Sequence, residues 1–258
     1  MNFKKIKRTF SAGIAAVMCA VISLSVPAAA KNTDAVWKDT KALTGASYSS
    51  TYIKLVEKYS EKDTTKTVTY SKSMTKKLLD KLEKAYGKDE PQFTIKLINN
   101  EEIASAAVKG DKFKATGYID GEGMAYLGNS KNFTFLDPND KEKCSMKINK
   151  ASESKIWFPN AGEVAESGAE LFNFDISENA KGKLFKFKNG EKIYCYEEFK
   201  DSNYGSVGFL FSEGGNILAM TNQGDSFCVS VSFKVNDSEF NIPKDYKDVD
   251  YTDIDWLS

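Results

Sequence analysis

Histidine is absent from this 258-residue sequence, and arginine occurs once, as Arg8. Histidine is the side chain that most often serves as a general base near neutral pH and as a metal ligand. Its absence excludes Ser–His–Asp and Cys–His catalysis and every histidine-ligated metal site. With a single arginine, bidentate recognition of carboxylates or phosphates by a guanidinium group is excluded from the rest of the chain.

Long apolar runs are also scarce, and the longest lies near the start. A basic segment precedes an apolar run over residues 10–26, and three alanines ending at Ala30 follow. This order is typical of a cleaved export signal, so we expect cleavage after Ala30 and a mature chain that begins at Lys31. Met18 is bulkier than the residue that precedes a lipidated cysteine, so we expect Cys19 to carry no lipid. The basic residues are Lys4, Lys5, Lys7 and Arg8.

The mature chain is expected to be slightly acidic. The whole sequence has 36 basic and 36 acidic residues, and the signal removes four basic residues and no acidic ones. The remaining 32 lysines and 36 carboxylates give a net charge of −4. Nucleic-acid binding is disfavoured, because its affinity comes mainly from a basic surface. No later apolar run reaches the roughly 20 residues that span a bilayer, so we expect a secreted or extracytoplasmic protein without a transmembrane segment.

Cysteine is rare, and the mature chain has an odd number of cysteines. With three thiols, at most one internal disulfide can form, and the sequence leaves all three pairings open. Cys144 and Cys195 fall on apolar faces of predicted strands and are interpreted as small buried hydrophobic residues. Cys228 alternates with Ser230 and Ser232, so it is predicted to face solvent with them.

The patterning divides the mature chain into three parts. Residues 31–71 form an N-terminal extension that is partly helical, with an amphipathic helix near residues 47–60. Residues 72–245 carry the regular periodicities and form the main domain. Residues 246–258 form an acidic C-terminal tail. The five aspartates between positions 245 and 255 lack the spacing of the known calcium loop, so we predict a solvated tail and no metal site.

One long helix is predicted over residues 74–86. Ser73 is a good N-cap residue, and Gly87 can end the helix. Apolar residues recur at every fourth position and form a single stripe, which we predict packs against a sheet. The stripe consists of Met74, Leu78, Leu82 and Tyr86.

From Gln92 onward the apolar period changes from about four to two, which is typical of strands. Turn sequences such as Asn189-Gly190 separate the alternating runs and predict hairpins. Residues 151–182 interrupt the pattern, with one or two helical turns expected within residues 163–172. The final run, residues 226–235, has the cleanest alternation. The sequence predicts an α+β fold, in which a curved antiparallel β-sheet of up-and-down hairpins forms a half-barrel wrapped over the amphipathic helix.

Three segments of the second half resemble exported proteins of clostridia-type bacteria in the LolA/LppX-like lipoprotein-carrier superfamily. They are residues 189–199, 209–218 and 231–243, the last of which ends in Phe-x-Ile-Pro. The resemblance covers residues 72–245 and implies an antiparallel half-barrel that wraps helices around an apolar cavity. The lipoprotein-sorting role of that superfamily uses an arginine in the cavity, and the mature chain has none.

Two features allow enzymatic chemistry without histidine, but simpler interpretations fit both. Ser73 and Lys76 have the Ser-x-x-Lys spacing of serine acyl enzymes, yet the companion motifs are absent and Ser73 fits a helix cap. Glu197 and Glu198 form a carboxylate pair, but neighbours on a strand point to opposite faces. We interpret them as a surface pair. We therefore expect a protein that is not an enzyme, with an uncharacterised hydrolase as the third functional class.

The remaining signal is an apolar, phenylalanine-rich face. It fits either an ordinary core between sheet and helix or the lining of a ligand cavity, because one helix fills a deeply curved sheet poorly. The candidate cavity residues are Phe93, Ile95, Leu97, Phe113, Phe209, Phe211, Phe227, Val229, Val231, Phe233, Leu78 and Leu82.

Two functional hypotheses follow from these two interpretations of the apolar face. The first is an exported, non-enzymatic binding protein that holds a lipid, an acyl chain or another apolar small molecule and needs no cofactor. The alternative is an extracellular or envelope protein-interaction module with a filled core, which binds a cell-surface protein. A continuous apolar cavity would favour the first hypothesis, and a filled core would favour the second.

Overall fold

A computed structural model describes residues 33–148, 159–203 and 205–250. The predicted signal peptide and the last eight residues of the acidic tail lie outside them. Among the described helices, none is long and apolar enough to cross a membrane. Four α-helices are present in the described ranges, with 3-10 turns at Tyr70–Lys72 and Asp237–Phe240. The helices are α1 (Thr33–Thr44), α2 (Ser50–Ser60), α3 (Met74–Tyr86) and α4 (Ala161–Glu170).

The strands form one mostly antiparallel sheet. Within the described residues it has 13 strands, which are β1 (Thr67–Thr69), β2 (Gln92–Ile98), β3 (Ile103–Lys109), β4 (Lys112–Ile119), β5 (Glu122–Gly128), β6 (Asn132–Asp137), β7 (Glu142–Lys147), β8 (Lys181–Asn189), β9 (Lys192–Asp201), β10 (Gly205–Ser212), β11 (Ile217–Asn222), β12 (Asp225–Ser232) and β13 (Lys247–Asp248). Among the described strands, only the pairing of β13 with β7 is parallel. The order of the strands in the sheet is β1-β8-β9-β10-β11-β12-β2-β3-β4-β5-β6-β7-β13.

Two up-and-down meanders make up most of this sheet. Strands β2 to β7 form one meander and β8 to β12 form the other, with α4 on the connection between them. The two meanders join where β12 pairs with β2, with Val229 opposite Leu97. The predicted α+β class and the hairpin topology are therefore confirmed.

Tight turns set the register of the hairpins. Gln223 and Gly224, between β11 and β12, have φ values of 54° and 93°. Two successive residues with positive φ are typical of the two-residue turn that matches the twist of antiparallel strands. The predicted turn at Asn189-Gly190 is also present, and it joins β8 to β9.

Helix α3 has the predicted bounds. It runs from Met74 to Tyr86, and the Ser73 side chain accepts a hydrogen bond from the backbone N–H of Lys76. Leu78 and Leu82 are buried, as the stripe predicts, whereas Tyr86 is 38% exposed. The prediction that Tyr86 packs against the sheet is therefore wrong.

One face of the sheet, here called the front face, is covered by α3 and α4. Its phenylalanines and aliphatic residues form a single hydrophobic cluster with Leu78 and Leu82 of α3 and Val164 of α4. Gly168 allows α4 to lie close to the sheet, because a Cβ atom there would sit 2.9 Å from the Cβ of Ala106. The front face is thus a packed interface between sheet and helices.

The opposite face, here called the back face, is covered by α1 and α2. The predicted helix near residues 47–60 is α2, while α1 was not predicted. Trp37 of α1 packs edge-on against Tyr118 at 4.9 Å between ring centroids, and Tyr59 of α2 stacks on Phe187 at 3.9 Å. Much of the sheet is therefore buried on both sides, and the N-terminal extension supplies the second layer.

On strand β12 the predicted apolar side is confirmed, but one prediction about the polar side is wrong. Phe227 and Val229 are buried on the front face, and Ser230 is exposed, as the alternation predicts. Cys228, predicted to face solvent, is only 3% exposed because the loop between α1 and α2 covers it. The strand ends at Ser232 rather than at residue 235.

The start of the acidic tail contributes to the sheet. Tyr246 is buried against Leu43 and Leu127, and the two residues after it form β13 at the sheet edge. Asp245 and Asp248 pair with Lys141 and Lys143 at 2.8 Å and 3.5 Å, respectively.

Candidate functional site

The candidate cavity residues lie together on the front face. Ten of the twelve belong to the buried cluster described above, and Val231 and Phe233 pack against its edge. Two of them, Leu82 and Phe113, also line clefts that open to solvent. A ligand could reach the front face through either of these two clefts.

The first cleft, here called the α3–α4 cleft, lies between α3 and the segment formed by α4 and its following loop. It has a volume of about 460 Å³. Phe174, on one wall, packs edge-on against Phe209 of the sheet at 5.5 Å between ring centroids. The cleft wall is therefore continuous with the phenylalanine-rich core. Its apolar lining consists of Tyr70, Leu79, Leu82, Tyr86, Ala169, Phe172, Phe174 and Ile176.

The rim of the α3–α4 cleft is rich in carboxylates. One lysine, Lys76, stands among them and forms ion pairs with Asp80 and, at 3.3 Å, with Glu178. The hydrogen bond to Asp80 raises the pKa of the Lys76 ammonium group. The acidic rim residues are Asp80, Glu83, Glu166, Glu170 and Glu178.

The second cleft lies beside the N-terminal end of α4 and has a volume of about 550 Å³. Phe113 contributes to its lining together with Pro91, Ile148 and Ala165. Tyr86 lines both clefts, so its exposed ring stands at the boundary between them. Sequence reasoning assigned this ring to the core, because helical spacing alone does not show where the covering sheet ends.

The first turn of α3 is held by a buried carboxylate from strand β9. Glu197 accepts hydrogen bonds from the backbone N–H groups of Met74 and Thr75 at 3.0 and 2.9 Å. The Thr75 hydroxyl donates a third hydrogen bond at 2.8 Å. A negative charge at this position also interacts favourably with the positive end of the helix dipole. Glu197 therefore positions one wall of the α3–α4 cleft.

The neighbouring Glu198 points to the back face, as the strand alternation predicts. It accepts a hydrogen bond from the Tyr196 hydroxyl at 2.7 Å and pairs with Lys183 at 3.0 Å. Glu197 and Glu198 are only 2% and 8% exposed, so the interpretation as a surface pair is wrong. Both carboxylates can be buried because each accepts hydrogen bonds inside the fold, which offset the cost of removing the charge from water.

The Ser73–Lys76 pair also has structural partners. The Ser73 hydroxyl donates to the backbone carbonyl of Tyr70 at 2.7 Å and accepts from the Lys76 backbone N–H at 2.9 Å. The ammonium group of Lys76 is bonded to Asp80. Ser73 thus acts as the helix cap that the sequence predicts.

A buried lysine on the back face was not predicted. Lys114 is 6% exposed and donates a hydrogen bond to the Leu43 carbonyl at 2.8 Å. Burial lowers the pKa of Lys114 to about 8. Lys96 and Glu239 form an ion pair nearby at 2.9 Å. A cation at the last carbonyl groups of α1 is favourable for the helix dipole, so Lys114 anchors α1 to the sheet.

All three described cysteines are free thiols and are buried. For Cys144 and Cys195 this confirms the predicted burial, and burial raises the pKa of the Cys195 thiol to about 12. Within residues 33–148, 159–203 and 205–250, no group of three or more cysteines and carboxylates could hold a metal ion.

Comparison with known proteins identifies no family. No protein-family model matches the chain, and no curated protein matches it. Among solved structures, the chain is similar to an uncharacterized conserved protein from Thermus thermophilus, with 11% sequence identity and a TM-score of 0.32. That match covers 69% of this chain and 99% of the other protein. The likeness is too weak to indicate a family or a function.

Proposed function

We propose that this chain is an exported, non-enzymatic binding protein that holds an apolar or acyl-chain ligand. In this proposal the sheet curves as a half-barrel of the LolA/LppX-like type, and the ligand enters beside Tyr86, the residue shared by the two clefts. The lack of arginine in the mature chain separates this role from lipoprotein sorting.

The observation that carries the proposal is the connection between the α3–α4 cleft and the front face. Phe174 forms part of the cleft wall and also contacts Phe209 in the sheet. The cleft volume of about 460 Å³ lies within the range of roughly 300–1,000 Å³ that is usual for small-molecule sites. An apolar chain in this cleft would contact aromatic and aliphatic side chains along its length.

In this proposal Ser73 and Glu197, which have the spacing or pairing of catalytic residues, have structural roles. Ser73 caps α3, and Glu197 holds its first turn from the sheet. Both groups already have the hydrogen-bond partners that a helix N-terminus offers. Their positions support a role in fixing the cleft wall rather than in attacking a substrate.

Ligand capture by the native protein tests the proposal. Protein purified from its own host should release a bound apolar molecule in native mass spectrometry. The Ala169→Trp variant places a large ring in the α3–α4 cleft and should abolish binding of a fluorescent acyl-chain probe. Lys77→Trp, on the exposed side of α3, is the matched control and should bind normally.

The alternative is a protein-interaction module with a filled core. The near-complete burial of the front face favours it, since Phe93, Phe209 and Phe211 are each 0% exposed. A folded parent protein that carries no ligand from its host and binds no acyl-chain probe, whether the head of the probe is anionic, neutral or cationic, would support this alternative over the binding protein.

A further inference from the structure

The α3–α4 cleft combines aromatic walls with an uncompensated acidic rim. Four rings line it, two from tyrosines and two from phenylalanines. The face of an aromatic ring attracts cations, and quaternary ammonium groups are held in this way because they cannot donate hydrogen bonds. The rings are Tyr70, Tyr86, Phe172 and Phe174.

The rim carries more negative charge than its single lysine can neutralise. Lys76 is already engaged by Asp80 and Glu178. The other three rim carboxylates are exposed and have no ion-pair partner within the described part of the chain. An anionic headgroup at this opening would be repelled, whereas a cationic one would be attracted. The three unpaired residues are Glu83, Glu166 and Glu170.

We propose that the α3–α4 cleft selects an amphiphile with a cationic head, namely an alkyl chain that ends in a quaternary ammonium group. This inference rests on the proposed function and narrows its ligand class. The alkyl chain lies along Leu79, Leu82 and Ile176, and the head stays between the rings and the acidic rim. A fatty acid, which shares the chain but has a carboxylate head, is then the wrong ligand.

Binding of three amphiphiles with the same chain length tests the inference. Dodecyltrimethylammonium, a non-ionic dodecyl ether and dodecanoate are titrated below their micelle thresholds by isothermal calorimetry. We expect the cationic amphiphile to bind most tightly and dodecanoate most weakly. The preference should shrink at high salt, because the rim carboxylates are exposed and screened.

Glu→Gln variants distinguish the effect of the rim carboxylates on binding from the effect of net charge elsewhere on the surface. The triple variant Glu83→Gln, Glu166→Gln and Glu170→Gln should weaken binding of the cationic amphiphile by about tenfold and leave the non-ionic one unchanged. A control triple variant has the same change in net charge at exposed positions elsewhere and should bind as the parent does. It consists of Glu57→Gln, Glu191→Gln and Glu213→Gln.

The outcomes distinguish this inference from the function on which it rests. Dodecanoate that binds as tightly as the cationic amphiphile, or equal effects of the two triple variants, would overturn the cationic preference and leave the binding function intact. If a folded protein binds none of the three amphiphiles, the proposed function is itself wrong. Tyr86→Leu, which keeps an apolar side chain but removes the ring, should weaken only the cationic ligand.

Discussion

Glu197 accepts the backbone N–H of Thr75 at 2.9 Å and its hydroxyl at 2.8 Å, and this links the centre of strand β9 to the start of α3. The contact spans 122 positions in the sequence and lies in the interior. It determines where α3 begins on the front face, and therefore where the wall of the α3–α4 cleft stands.

Removing the charge of Glu197 should loosen this attachment. Glu197→Gln keeps the size of the side chain but replaces one acceptor oxygen by an amide donor, which faces the helix N–H groups. We expect a loss of roughly 1–3 kcal/mol in the free energy of unfolding. Urea titration measures it, with the exposed Glu213→Gln as control. Equal midpoints for the two variants would mean that the buried carboxylate does not hold α3.

Leu82 should contribute more to stability than Tyr86, although both belong to the predicted stripe. Leu82 is 3% exposed in the core cluster, so Leu82→Ala should cost roughly 2–5 kcal/mol. Tyr86→Ala removes a partly exposed ring and should cost under about 1 kcal/mol. Guanidinium titration of both variants checks this order. A reversed order would place the C-terminal end of α3 against the sheet.

Two residues on the back face of β12 test whether the N-terminal segment buries this part of the strand. Cys228 is buried and hydrogen-bonded to the backbone of Ser49, whereas Ser230 on the same side of the strand is exposed. Cys228→Asp buries a charge and should destabilise the protein by roughly 3 kcal/mol or more. Ser230→Asp should be nearly silent in thermal unfolding. Similar melting temperatures would show that the loop between α1 and α2 does not cover this strand.

Because the pKa of Lys114 is lowered, we expect the free energy of unfolding to rise with pH in the alkaline range. Burial lowers its pKa from 10.5 to about 8, so between these values the unfolded chain binds more protons than the folded chain. The free energy of unfolding should then increase with pH by about 1 kcal/mol per unit, beginning near pH 8. The thiols oppose this above pH 9, because burial raises the pKa of Cys228 and of the other two thiols.

Two methionine variants isolate that contribution. Lys114→Met should flatten the rise between about pH 7.5 and 9 in stability curves measured by urea titration. Lys112→Met, on the same strand but half-exposed, should keep it. The same pH dependence in both variants would exclude Lys114 as its source.

N-terminal sequencing of the exported protein tests the predicted signal. We expect a mature chain that begins at Lys31, since three alanines precede that position. A chain that begins at a lipid-modified Cys19 would show that the signal is of the lipoprotein type.

The sequence by itself determined the features that depend on neighbouring residues. The bounds of α3 follow from the Ser73 cap and the spacing of Leu78 and Leu82. The hairpins follow from their turn residues, and strict alternation assigned those candidate cavity residues that lie on strands to one common face. These signals are local, because capping, turn geometry and side-chain alternation are set within a few residues.

Only the tertiary structure decided what covers each face and where the clefts open. Alternation showed that Cys228 lies opposite Val229, but not that the N-terminal extension would bury it. It showed that Glu197 and Glu198 point to opposite faces of their strand, but not that a helix N-terminus would meet Glu197. Burial depends on which distant segments come together, since a residue's solvent exposure is a property of the assembled layers and not of its own strand or helix.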